Sequence, residues 1–509
     1  MTKYSFNIII QAGGRGSRLR HHTWNKPKCL VSIRGKPLLY YMFDIFPNSK
    51  FFIIGDYAYE QLENYLTINN PKIEYRLIKT QEKGTASGIA SALKMIENSS
   101  PVILTWSDIL IKKVPIWPET EHPVVCTTSA FTCRWSADED GKLRETASSN
   151  RGIAGLFYYK NLEQFKTPPE SGEFVKWFAK NVDEYELLNC DDIQELGDFS
   201  TIEEANSSAG FCRFFNRVEI QEHTVIKTVV DPDYAEVHRR EVAWYTEANG
   251  LGFRRIPVIH STSPLVMERL KGSHAFQMND LSKRERRAVL CDYLDSLISL
   301  HDKSTIPSSK EDIEEVYLNK TITRVERVKH IIPGYDRESV TINGKKCRNV
   351  FHGKHRDTLY SVVETLNVES FVPIHGDATF SNTIIDDNLR VWFIDPRGYF
   401  AKPGIYGDPY YDFAKIYYSA VGGYDNFNRR KFKLYLDDHT VEIIMDDPAF
   451  SDTAGEIFKH YFNRDLTRVE ILHALIWFAL SGYSLDDIDS IIGAFYFGLY
   501  WMESGSSKL

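Results

Sequence analysis

The sequence predicts two domains, an α/β domain followed by an α+β domain, and three observations support this. The chain has 509 residues, more than one hydrophobic core usually serves. Apolar runs alternate with segments of helical spacing up to about residue 106, which is typical of a mostly parallel sheet covered by helices. From about residue 207 the pattern changes to paired strand-like runs and then helices. We therefore predict one domain over 1–206 and a second with a small lobe over 207–270 and a large lobe over 271–509.

The elements of the first domain follow from hydrophobic periodicity. In chain order they are a strand at 8–10, a helix at 36–46, a strand at 51–55, a helix at 57–66, a strand at 73–79, a helix at 85–96 and a strand at 102–106. Ligands of such folds bind at the carboxyl ends of the parallel strands. Here a glycine-rich loop follows the first strand and Asp108 follows the last, so we expect the chemistry at that edge.

Composition excludes several classes of function. A net charge of -8 argues against nucleic acid or an anionic membrane as the main partner. The seven cysteines are scattered and contain no C-x-x-C pair, so they indicate neither a disulfide framework nor a zinc site. No apolar run reaches the roughly 18 residues that a membrane span needs. We expect a cytoplasmic protein that acts on small molecules, and its oligomeric state is left open.

The loop after the first strand has the composition of a triphosphate site. Residues 11–18 read Gln-Ala-Gly-Gly-Arg-Gly-Ser-Arg, and Lys28 follows a proline a short way downstream. Glycine lets the backbone adopt positive φ and bring its N–H groups against phosphate oxygens, while Arg18 and Lys28 supply positive charge. The loop residues predicted to bind nucleotide are Gly13, Gly14 and Gly16.

Further polar residues follow predicted strands in the same domain. Gln81 and Gly84 lie at the start of a predicted helix, where an amide side chain and backbone groups could contact a base edge, and Gln11 is a further candidate for this role. Asp108 comes directly after an apolar strand, a position suited to a Mg²⁺ ligand. Asp198, just ahead of a helix start, is a second candidate metal ligand.

Together, these ordered motifs resemble those of the sugar-phosphate nucleotidyltransferase family, which includes phosphocholine cytidylyltransferases. The likeness covers roughly residues 1–206 and implies a Rossmann-like domain in which Arg18 and Lys28 clamp a triphosphate and Asp108 and Asp198 bind metal. It departs from the family at Ser107, where a glycine is usual. A phosphate monoester would attack the α-phosphorus of the nucleotide and release pyrophosphate. Because the second pKa of such a phosphate is about 6, it is already ionised and needs no general base.

The start of the second domain has the layout of a kinase small lobe. Lys227 lies in a strand-like run and Glu241 on the next predicted helix, with Glu236 as an alternative partner. An ion pair would hold the lysine against nucleotide phosphates. The segment 265–270, which contains Glu268, resembles the hinge whose backbone contacts adenine.

A second phosphate-transfer motif lies at residues 371–382, which read Phe-Val-Pro-Ile-His-Gly-Asp-Ala-Thr-Phe-Ser-Asn. This keeps the Asp-to-Asn offset of the kinase catalytic loop. Asp377 is predicted to accept the proton of the attacking hydroxyl, and Asn382 and Asp395 to hold Mg²⁺ against the nucleotide phosphates. His375 is expected to orient the loop rather than to transfer a proton.

These motifs resemble the aminoglycoside phosphotransferase and choline kinase superfamily, and the likeness covers roughly residues 207–509. It implies a bilobal protein-kinase-like fold that phosphorylates small hydroxylated molecules with ATP. The catalytic loop is closer to sugar-type kinases than to choline kinases, where an acidic residue commonly follows the metal aspartate. Asp408 and Asp412 are possible acceptor ligands, although the position of Asp408 before Pro-Tyr-Tyr favours a helix cap.

The two domains together predict a bifunctional transferase with Mg²⁺ in both sites. The kinase would make a phosphate monoester with ATP. The nucleotidyltransferase would join it to a second nucleoside triphosphate, CTP or UTP, giving an NDP- or CDP-activated donor for surface polysaccharide synthesis. A sugar or polyol is the favoured acceptor, with choline or another amino alcohol as the alternative. A hypothesis of another class is that one domain is inactive and serves as a scaffold or ligand sensor.

Overall fold

The structure is a computed structural model, and it describes residues 5–80, 82–97, 99–207, 216–278, 280–448 and 450–508. The chain divides into two compact units, Met1–Gly210 with Asp486–Asp489, and Phe211–Leu485 with Ser490–Leu509. The sequence does not indicate that residues 486–489 belong with the first unit. Within the described ranges, no helix is both long enough and apolar enough to cross a membrane.

The first unit is built on a mixed sheet flanked by helices. Its strands are β1 (Asn7–Gln11), β2 (Ser32–Ile33), β3 (Lys36–Pro37), β4 (Lys50–Gly55), β5 (Glu74–Lys79), β6 (Val102–Trp106), β7 (Ile109–Ile111), β8 (Val124–Thr128), β9 (Ser136–Ala137), β10 (Leu143–Arg144), β11 (Gly152–Tyr159), β12 (Glu186–Asn189) and β13 (Ile193–Glu195). Its helices are α1 (Leu38–Ile45), α2 (Tyr59–Ile68), α3 (Ile89–Lys94), α4 (Phe174–Asn181) and α5 (Phe199–Ser207).

The central strands run in the order β5-β4-β1-β6-β11, parallel except for β11, which is antiparallel to β6. Helices cover the sheet, so β1 and β6 are apolar almost throughout, and Ile8, Ile9 and Ile10 are fully buried. Gln11, the last residue of β1, pairs with Trp106, the last residue of β6. The loops after these two strands therefore leave the sheet side by side. The predicted α/β class is confirmed.

All three predicted helices of this unit begin later than the periodicity indicates, α2 at Tyr59 rather than at residue 57, and the cause is clear for the other two. α3 starts at Ile89 rather than at residue 85, because Gly84 and Gly88 have φ of 104° and 77°, which helical backbone does not adopt. α1 starts at Leu38 rather than at residue 36, because Lys36 and Pro37 pair with β2 as the short strand β3. In both cases local backbone geometry overrides the pattern of apolar side chains.

After α5 the chain forms a small antiparallel sheet and a larger, mainly helical part. The strands are β14 (Asn216–Ile220), β15 (Thr224–Val229), β16 (Ile259–Thr262), β17 (Leu265–Glu268), β18 (Ile306–Pro307), β19 (Ser339–Ile342), β20 (Lys345–Arg348), β21 (Ser370–Pro373), β22 (Thr383–Ile385), β23 (Val391–Phe393), β24 (Tyr399–Phe400), β25 (Lys402–Pro403), β26 (Tyr406–Gly407), β27 (Phe432–Leu436) and β28 (Thr440–Met445). The helices are α6 (Ala235–Gly250), α7 (Lys283–His301), α8 (Lys310–Glu314), α9 (Lys320–Val328), α10 (Arg356–Glu364), α11 (Pro409–Ala420), α12 (Tyr424–Asn428), α13 (Ser451–Phe462), α14 (Leu466–Ser481) and α15 (Ile488–Ser506).

The small sheet has the order β14-β15-β17-β16, and α6 follows β15 directly in the chain. In the helical part, a turn of π-helix at Glu315–Asn319 joins α8 to α9, and α11 packs on α14. The hairpin of β22 and β23 pairs Thr383 with Phe393. The residues just before β22 and just after β23 therefore meet at one end of the hairpin, where the Ile394 N–H donates to the Asn382 carbonyl at 2.9 Å. This arrangement agrees with the predicted bilobal α+β domain.

Candidate active sites

In the first unit, a cavity of about 210 Å³ lies at the carboxyl ends of β1 and β6. Six of the residues that line this cavity are predicted site residues: Gln11, Gly14, Gly16, Arg18, Lys28 and Asp108. The other lining residues given by the structure are Ser17, Trp106, Ser107 and Gly197. Residues from the glycine loop, from the lysine segment and from the end of β6 thus share one concave surface. Its position is the one that an α/β sheet offers to a ligand.

Lys28 and Asp108 face each other across this cavity. The Lys28 ammonium donates a hydrogen bond to Asp108 Oδ2, and the two side chains are only 11% and 14% exposed. Gly16 has φ of 64° and packs against the lysine, since a Cβ there would lie 3.1 Å from the Lys28 Cβ. The loop therefore needs glycine at this position both for its backbone conformation and for the path of the lysine side chain.

The other two loop glycines have different environments. A Cβ on Gly13 would lie 2.8 Å from the backbone nitrogen of Asp56, so glycine is needed there for the close approach of the chain that follows β4. A Cβ on Gly14 would meet nothing within 4 Å. Gly14 therefore faces open space in the cavity, where a ligand can approach the backbone.

Arg18 is held by a residue that the sequence analysis did not single out. Its guanidinium donates to Glu195 Oε1 at 3.0 Å, and the arginine side chain is 65% exposed. Asp198 caps α5: its Oδ1 accepts from the Ser200 hydroxyl at 2.7 Å and from the Thr201 N–H at 3.1 Å. These two hydrogen bonds lower the pKa of Asp198. The structure thus shows a capping contact for Asp198, and its role as a metal ligand stays a prediction.

Of the residues predicted to contact the base, Gln11 and Gly84 are tied into the same loop. The Gln11 amide nitrogen donates to the carbonyls of Thr85 and Ser87 at 2.7 and 3.0 Å. Gly84 approaches Gly172 so closely that a Cβ would lie 2.3 Å from the Gly172 oxygen. Gln81 lies outside the described residues. Base selection by these residues stays a prediction.

In the second unit, Lys227 of β15 links the small sheet to Asp395, which follows β23. Its ammonium donates to Glu241 at 2.7 and 2.9 Å and to Asp395 Oδ1 at 2.8 Å. Burial lowers the pKa of Lys227, but Asp395 and Glu241 outweigh it and the net pKa is raised, so the ammonium is charged. The alternative partner Glu236 is instead paired with Arg239 and Arg240.

Asp377 and Asn382 contact each other as the kinase-loop spacing predicts. The Asn382 amide donates to Asp377 Oδ2 at 2.9 Å and to the Asp377 carbonyl at 2.8 Å. The other carboxylate oxygen of Asp377 pairs with Lys415 of α11 at 2.9 Å. Although burial lowers the pKa of Lys415, the Asp377 carboxylate raises it overall. Two partners from different elements therefore fix the orientation of the Asp377 carboxylate.

His375 is fully buried and orients the loop. Its Nε2 lies 3.0 Å from the Ile394 carbonyl and its Nδ1 accepts from the Asp377 N–H at 3.3 Å, which requires the neutral ring with the proton on Nε2. Burial lowers the pKa of His375 and favours this form. Both ring nitrogens thus contact backbone groups. These contacts support the interpretation that His375 orients the loop rather than transfers a proton.

Asp412 holds the backbone of the same loop. Its carboxylate accepts the N–H groups of His375 and Gly376, both at 2.7 Å, and lies 3.2 Å from His301 Nε2. Asp408 accepts from the Tyr410 N–H at 2.9 Å and caps α11. Asp412 therefore supports the loop that contains Asp377, a role that the sequence analysis did not identify.

The remaining predicted residues of this site are placed as follows. Asp395 follows β23 with φ of 53°, and its side chain is half exposed. Glu268 ends β17, where its carboxylate accepts from the Val258 N–H at 3.2 Å. The predicted hinge is thus the end of a strand of the small sheet, and contact of its backbone with adenine stays a prediction.

The donor set of the second site fits Mg²⁺. Across the described part of the chain, no group of three or more His, Cys, Asp or Glu side chains is placed to hold a metal. Mg²⁺, however, is commonly bound through one or two carboxylates together with substrate phosphates and water. Asp395 and Asn382 offer oxygen ligands at one end of the β22–β23 hairpin, and Asp108 offers them in the first unit.

Comparison with protein families finds two matches. Residues 7–118 match the family model described as nucleotidyl transferase, and residues 202–442 match the one described as phosphotransferase enzyme family. The glycine loop and Asp108 lie in the first match. The Lys227, Asp377, Asn382 and Asp395 cluster lies in the second.

Curated relatives match the amino-terminal region only in part. The bifunctional protein GlmU of Methanococcus maripaludis is 31% identical over 99 residues, 19% of this chain and 24% of the relative. A CTP:phosphoglutamine cytidylyltransferase of Campylobacter jejuni is 30% identical over 113 residues, 20% of this chain and 44% of the relative. The matched stretch spans between about a quarter and less than half of the length of these two relatives.

Solved structures also align with part of the chain. The CTP:phosphocholine cytidylyltransferase of Streptococcus pneumoniae aligns with a TM-score of 0.32 and 16% identity, over 39% of this chain and 96% of that one. HddC of Yersinia pseudotuberculosis in complex with GMP-PN aligns with a TM-score of 0.32 and 19% identity, over 39% of this chain and 97% of that one.

Proposed function

Because this chain joins a nucleotidyl transferase domain to a domain of the phosphotransferase enzyme family, we propose that its two domains catalyse consecutive reactions. The phosphotransferase domain acts first and phosphorylates a hydroxyl group of a small acceptor with ATP. The nucleotidyl transferase domain then transfers a nucleotidyl group from another nucleoside triphosphate, CTP or UTP, onto that phosphate and releases pyrophosphate. The observation that carries the proposal is that one chain holds both the Asp377 cluster and the cavity of Lys28 and Asp108.

The kinase step uses the contacts around Asp377. Its carboxylate, oriented by Asn382 and Lys415, accepts the proton of the acceptor hydroxyl. The acceptor oxygen bonds to the γ-phosphorus of ATP as the bond from that phosphorus to the β-γ bridging oxygen breaks, and ADP leaves. Lys227, held by Glu241, is positioned to contact the α- and β-phosphates.

The nucleotidyl step needs positive charge more than it needs a base. An oxygen of the acceptor phosphate bonds to the α-phosphorus of the nucleotide, and pyrophosphate departs with the electron pair of the broken bond. Lys28 and Arg18 line the cavity where this charge develops. A triphosphate would replace Asp108 as the counter-ion of Lys28 and free carboxylate oxygens for a metal. In both sites bound Mg²⁺ would neutralise phosphate charge, with Asp108, Asn382 and Asp395 as the ligands that fit best.

The product is proposed to be an NDP- or CDP-activated donor for surface polysaccharide. A sugar or polyol is the favoured acceptor, supported by the sugar-kinase character of the His375-Gly-Asp377 loop. One of the relatives is named for a reaction on mannose 1-phosphate, a phosphate monoester, which agrees with a monoester as the substrate of the first domain.

Phosphorus NMR tests the order of the two reactions. The protein is incubated with Mg²⁺, ATP and each second nucleoside triphosphate, and is given candidate acceptors one at a time. A monoester signal that converts to a pyrophosphate diester is the expected result. A monoester that accumulates with every nucleotide would contradict the second reaction.

Single-site variants separate the two activities. Asp377→Ala is expected to stop monoester formation while the protein still converts a supplied phosphate ester, since Asn382 and Lys415, which orient Asp377, lie in the second unit. Lys28→Ala is expected to have the opposite effect. Loss of both activities in either variant would show that the two sites are not independent.

A further inference from the structure

Several basic side chains lie beside Asp377, around Tyr411 of α11. Lys415 pairs with the Asp377 carboxylate, and its ammonium lies 5.8 Å from the centre of the Tyr411 ring. The guanidinium of Arg397 lies 5.6 Å from the centre of the same ring and donates to the Tyr411 hydroxyl at 2.7 Å. One tyrosine of α11 thus brings Arg397 and Lys415 together next to the proposed catalytic base.

The helix α9 adds two more basic residues to this place. Tyr317, in the π-turn just before α9, stacks on Tyr411 with 6.2 Å between ring centres. Lys320 and Arg324 follow Tyr317 by three and seven residues, which places them on the same face of the helix. The pKa of Lys320 agrees with this position, because it is lowered to about 5 by burial and by nearby Arg397, Arg324 and Lys415.

Three of these residues, which we call the basic cluster, are Lys320, Arg324 and Arg397. Within the described ranges none of the three forms an ion pair with a carboxylate, and the carboxylate whose charge acts on Lys320 and Arg397, that of Asp377, is already paired with Lys415. Arg324 donates to the Ala479 carbonyl at 3.2 Å and Arg397 to the Tyr411 hydroxyl, while Lys320 has no hydrogen bond to a described residue. Several half-buried basic groups beside a single carboxylate are unfavourable when all are charged, and the lowered pKa of Lys320 leaves its amine neutral near pH 7 unless a ligand adds negative charge. A ligand that carries negative charge would supply what the cluster lacks.

The nucleotide is a poorer candidate for this charge than the acceptor. Its phosphates have their own partners in Lys227, Asn382 and Asp395, on the small sheet and the β22–β23 hairpin. The basic cluster includes two residues of α9, and it borders Asp377 through Arg397, Tyr411 and Lys415. The acceptor must place its hydroxyl at Asp377, so the rest of the acceptor is the group that meets the cluster.

We propose that the acceptor of the phosphotransferase domain is a small hydroxyl compound that also carries an acidic group, a carboxylate or a phosphate, and that Lys320, Arg324 and Arg397 bind this group. The proposal rests on the kinase function proposed above. It also separates the acceptor alternatives: a quaternary ammonium such as choline would meet charge of its own sign in this cluster, whereas a sugar acid or a hydroxy acid would meet the opposite sign.

Matched acceptors test the proposal directly. ADP release is measured with sets that share a carbon chain and differ in charge: glycerol, glycerate, glycerol 3-phosphate and serinol, and glucose, gluconate, glucose 6-phosphate and glucosamine. A charge-assisted hydrogen bond contributes about 1.5–3 kcal/mol, so within a set the acidic member is expected to have a kcat/KM about 10- to 100-fold above the neutral member. A neutral or cationic member that is phosphorylated as well as its acidic counterpart would overturn the proposal.

Variants of α9 show which ligand the cluster binds. Lys320→Met and Arg324→Met remove the basic group and keep a long side chain, and Arg327→Met, an exposed position of the same helix, is the matched control. The KM for the acidic acceptor is expected to rise about tenfold or more in the first two variants, while the KM for ATP stays unchanged. A rise in the KM for ATP alone would assign the cluster to the nucleotide and overturn the proposal.

The conservative variant Lys320→Arg and the ATP turnover of Asp377→Ala complete the test. Lys320→Arg is expected to restore most of the affinity for the acidic acceptor, which a merely structural role of the side chain would not predict. If Asp377→Ala leaves ATP turnover unchanged and no compound is phosphorylated, the kinase function itself is wrong and this inference falls with it. If neutral acceptors are phosphorylated and acidic ones are not, the kinase function stands and only the acceptor class is wrong.

Discussion

The Lys227 ammonium contacts two carboxylates, and this single residue thereby connects Glu241 of α6 with Asp395 after β23. Glu241 is only 4% exposed, and its pKa is raised by burial, even though Lys227 lies against it. Asp395 adds a second negative charge on the half-exposed side. The arrangement has more negative than positive charge, which suits a site that is to receive Mg²⁺.

Lys227→Met is expected to destabilise the second unit as well as to abolish kinase activity. Removing one partner of a buried ion pair leaves the other charge without compensation and typically costs about 3–5 kcal/mol. Glu241→Gln, which leaves Asp395 to neutralise the lysine, is the matched variant and should cost less. Chemical denaturation of the two variants measures the difference. An equal loss of stability in both would show that Asp395 does not share the charge of Lys227.

Lys320 provides a prediction that depends on pH. The pKa of Lys320 in the folded chain is lowered to about 5, whereas an unfolded chain holds this proton up to about pH 10.4. Between these values the unfolded state binds one more proton, so this residue makes stability rise with pH. Lys320→Met removes the effect. The Tm advantage of the variant over the wild type is therefore expected to be largest near pH 5 and to shrink towards pH 9.

Thermal unfolding at several pH values measures this difference, with Arg327→Met as the control of the same helix. The control should have no Tm difference that changes with pH. A Lys320→Met advantage that is constant from pH 5 to pH 9 would show that the pKa of Lys320 is not lowered in the folded chain.

Among the elements, α11 supports the loop that contains Asp377, through its residue Asp412. The two backbone N–H groups that Asp412 accepts belong to His375 and Gly376, immediately before Asp377. In Asp412→Asn one acceptor oxygen becomes an NH₂ group facing an N–H, so one of these bonds is lost at a cost of about 1–3 kcal/mol. We expect the kinase kcat to fall at least about tenfold while nucleotidyl transfer is kept.

Assays of both activities on Asp412→Asn test this, and Asp452→Asn serves as the control. Asp452 pairs with Arg286 near the surface at 2.8 Å, and loss of such a pair typically costs about 1 kcal/mol or less. Unchanged kinase activity in Asp412→Asn would show that the loop keeps its conformation without this support.

Motifs that are local in sequence could be predicted, whereas partners that come from a distant helix or strand could not. The loop with Gly14 and Lys28 and the Asp377–Asn382 pair could be predicted because short spacings fix which side chains leave the same turn. Lys415 and Glu195 could not, because each is brought to its partner by the packing of an element 38 and 177 residues away. Nothing in the sequence around either residue distinguishes it from an ordinary surface charge.

Helix starts show the same limit of sequence-based prediction. The apolar pattern placed the start of a helix at residue 85, but Gly84 and Gly88 are in the left-handed region and α3 begins at Ile89. Periodicity reports which side chains are buried, and it does not report where the backbone turns. The fold class depends on which side chains are buried and was predicted well. The exact helix bounds depend on where the backbone turns and were not.

For the whole molecule, the product of one domain is proposed to be the substrate of the other, so two variants with opposite defects should complement each other. Asp377→Ala protein lacks the first reaction and Lys28→Ala protein lacks the second. Because the monoester is a small molecule that can leave one protein and bind another, a mixture of the two is expected to make the nucleotide-linked product although neither does so alone. The mixture should show a lag while the free monoester accumulates, and the lag should shorten as protein concentration rises.

If the mixture makes monoester that never becomes product, while the Asp377→Ala protein converts the same purified monoester, an inhibitor in the mixture must be sought. If that protein fails to convert the purified monoester, the two domains act on different compounds and the proposed sequence of reactions is wrong.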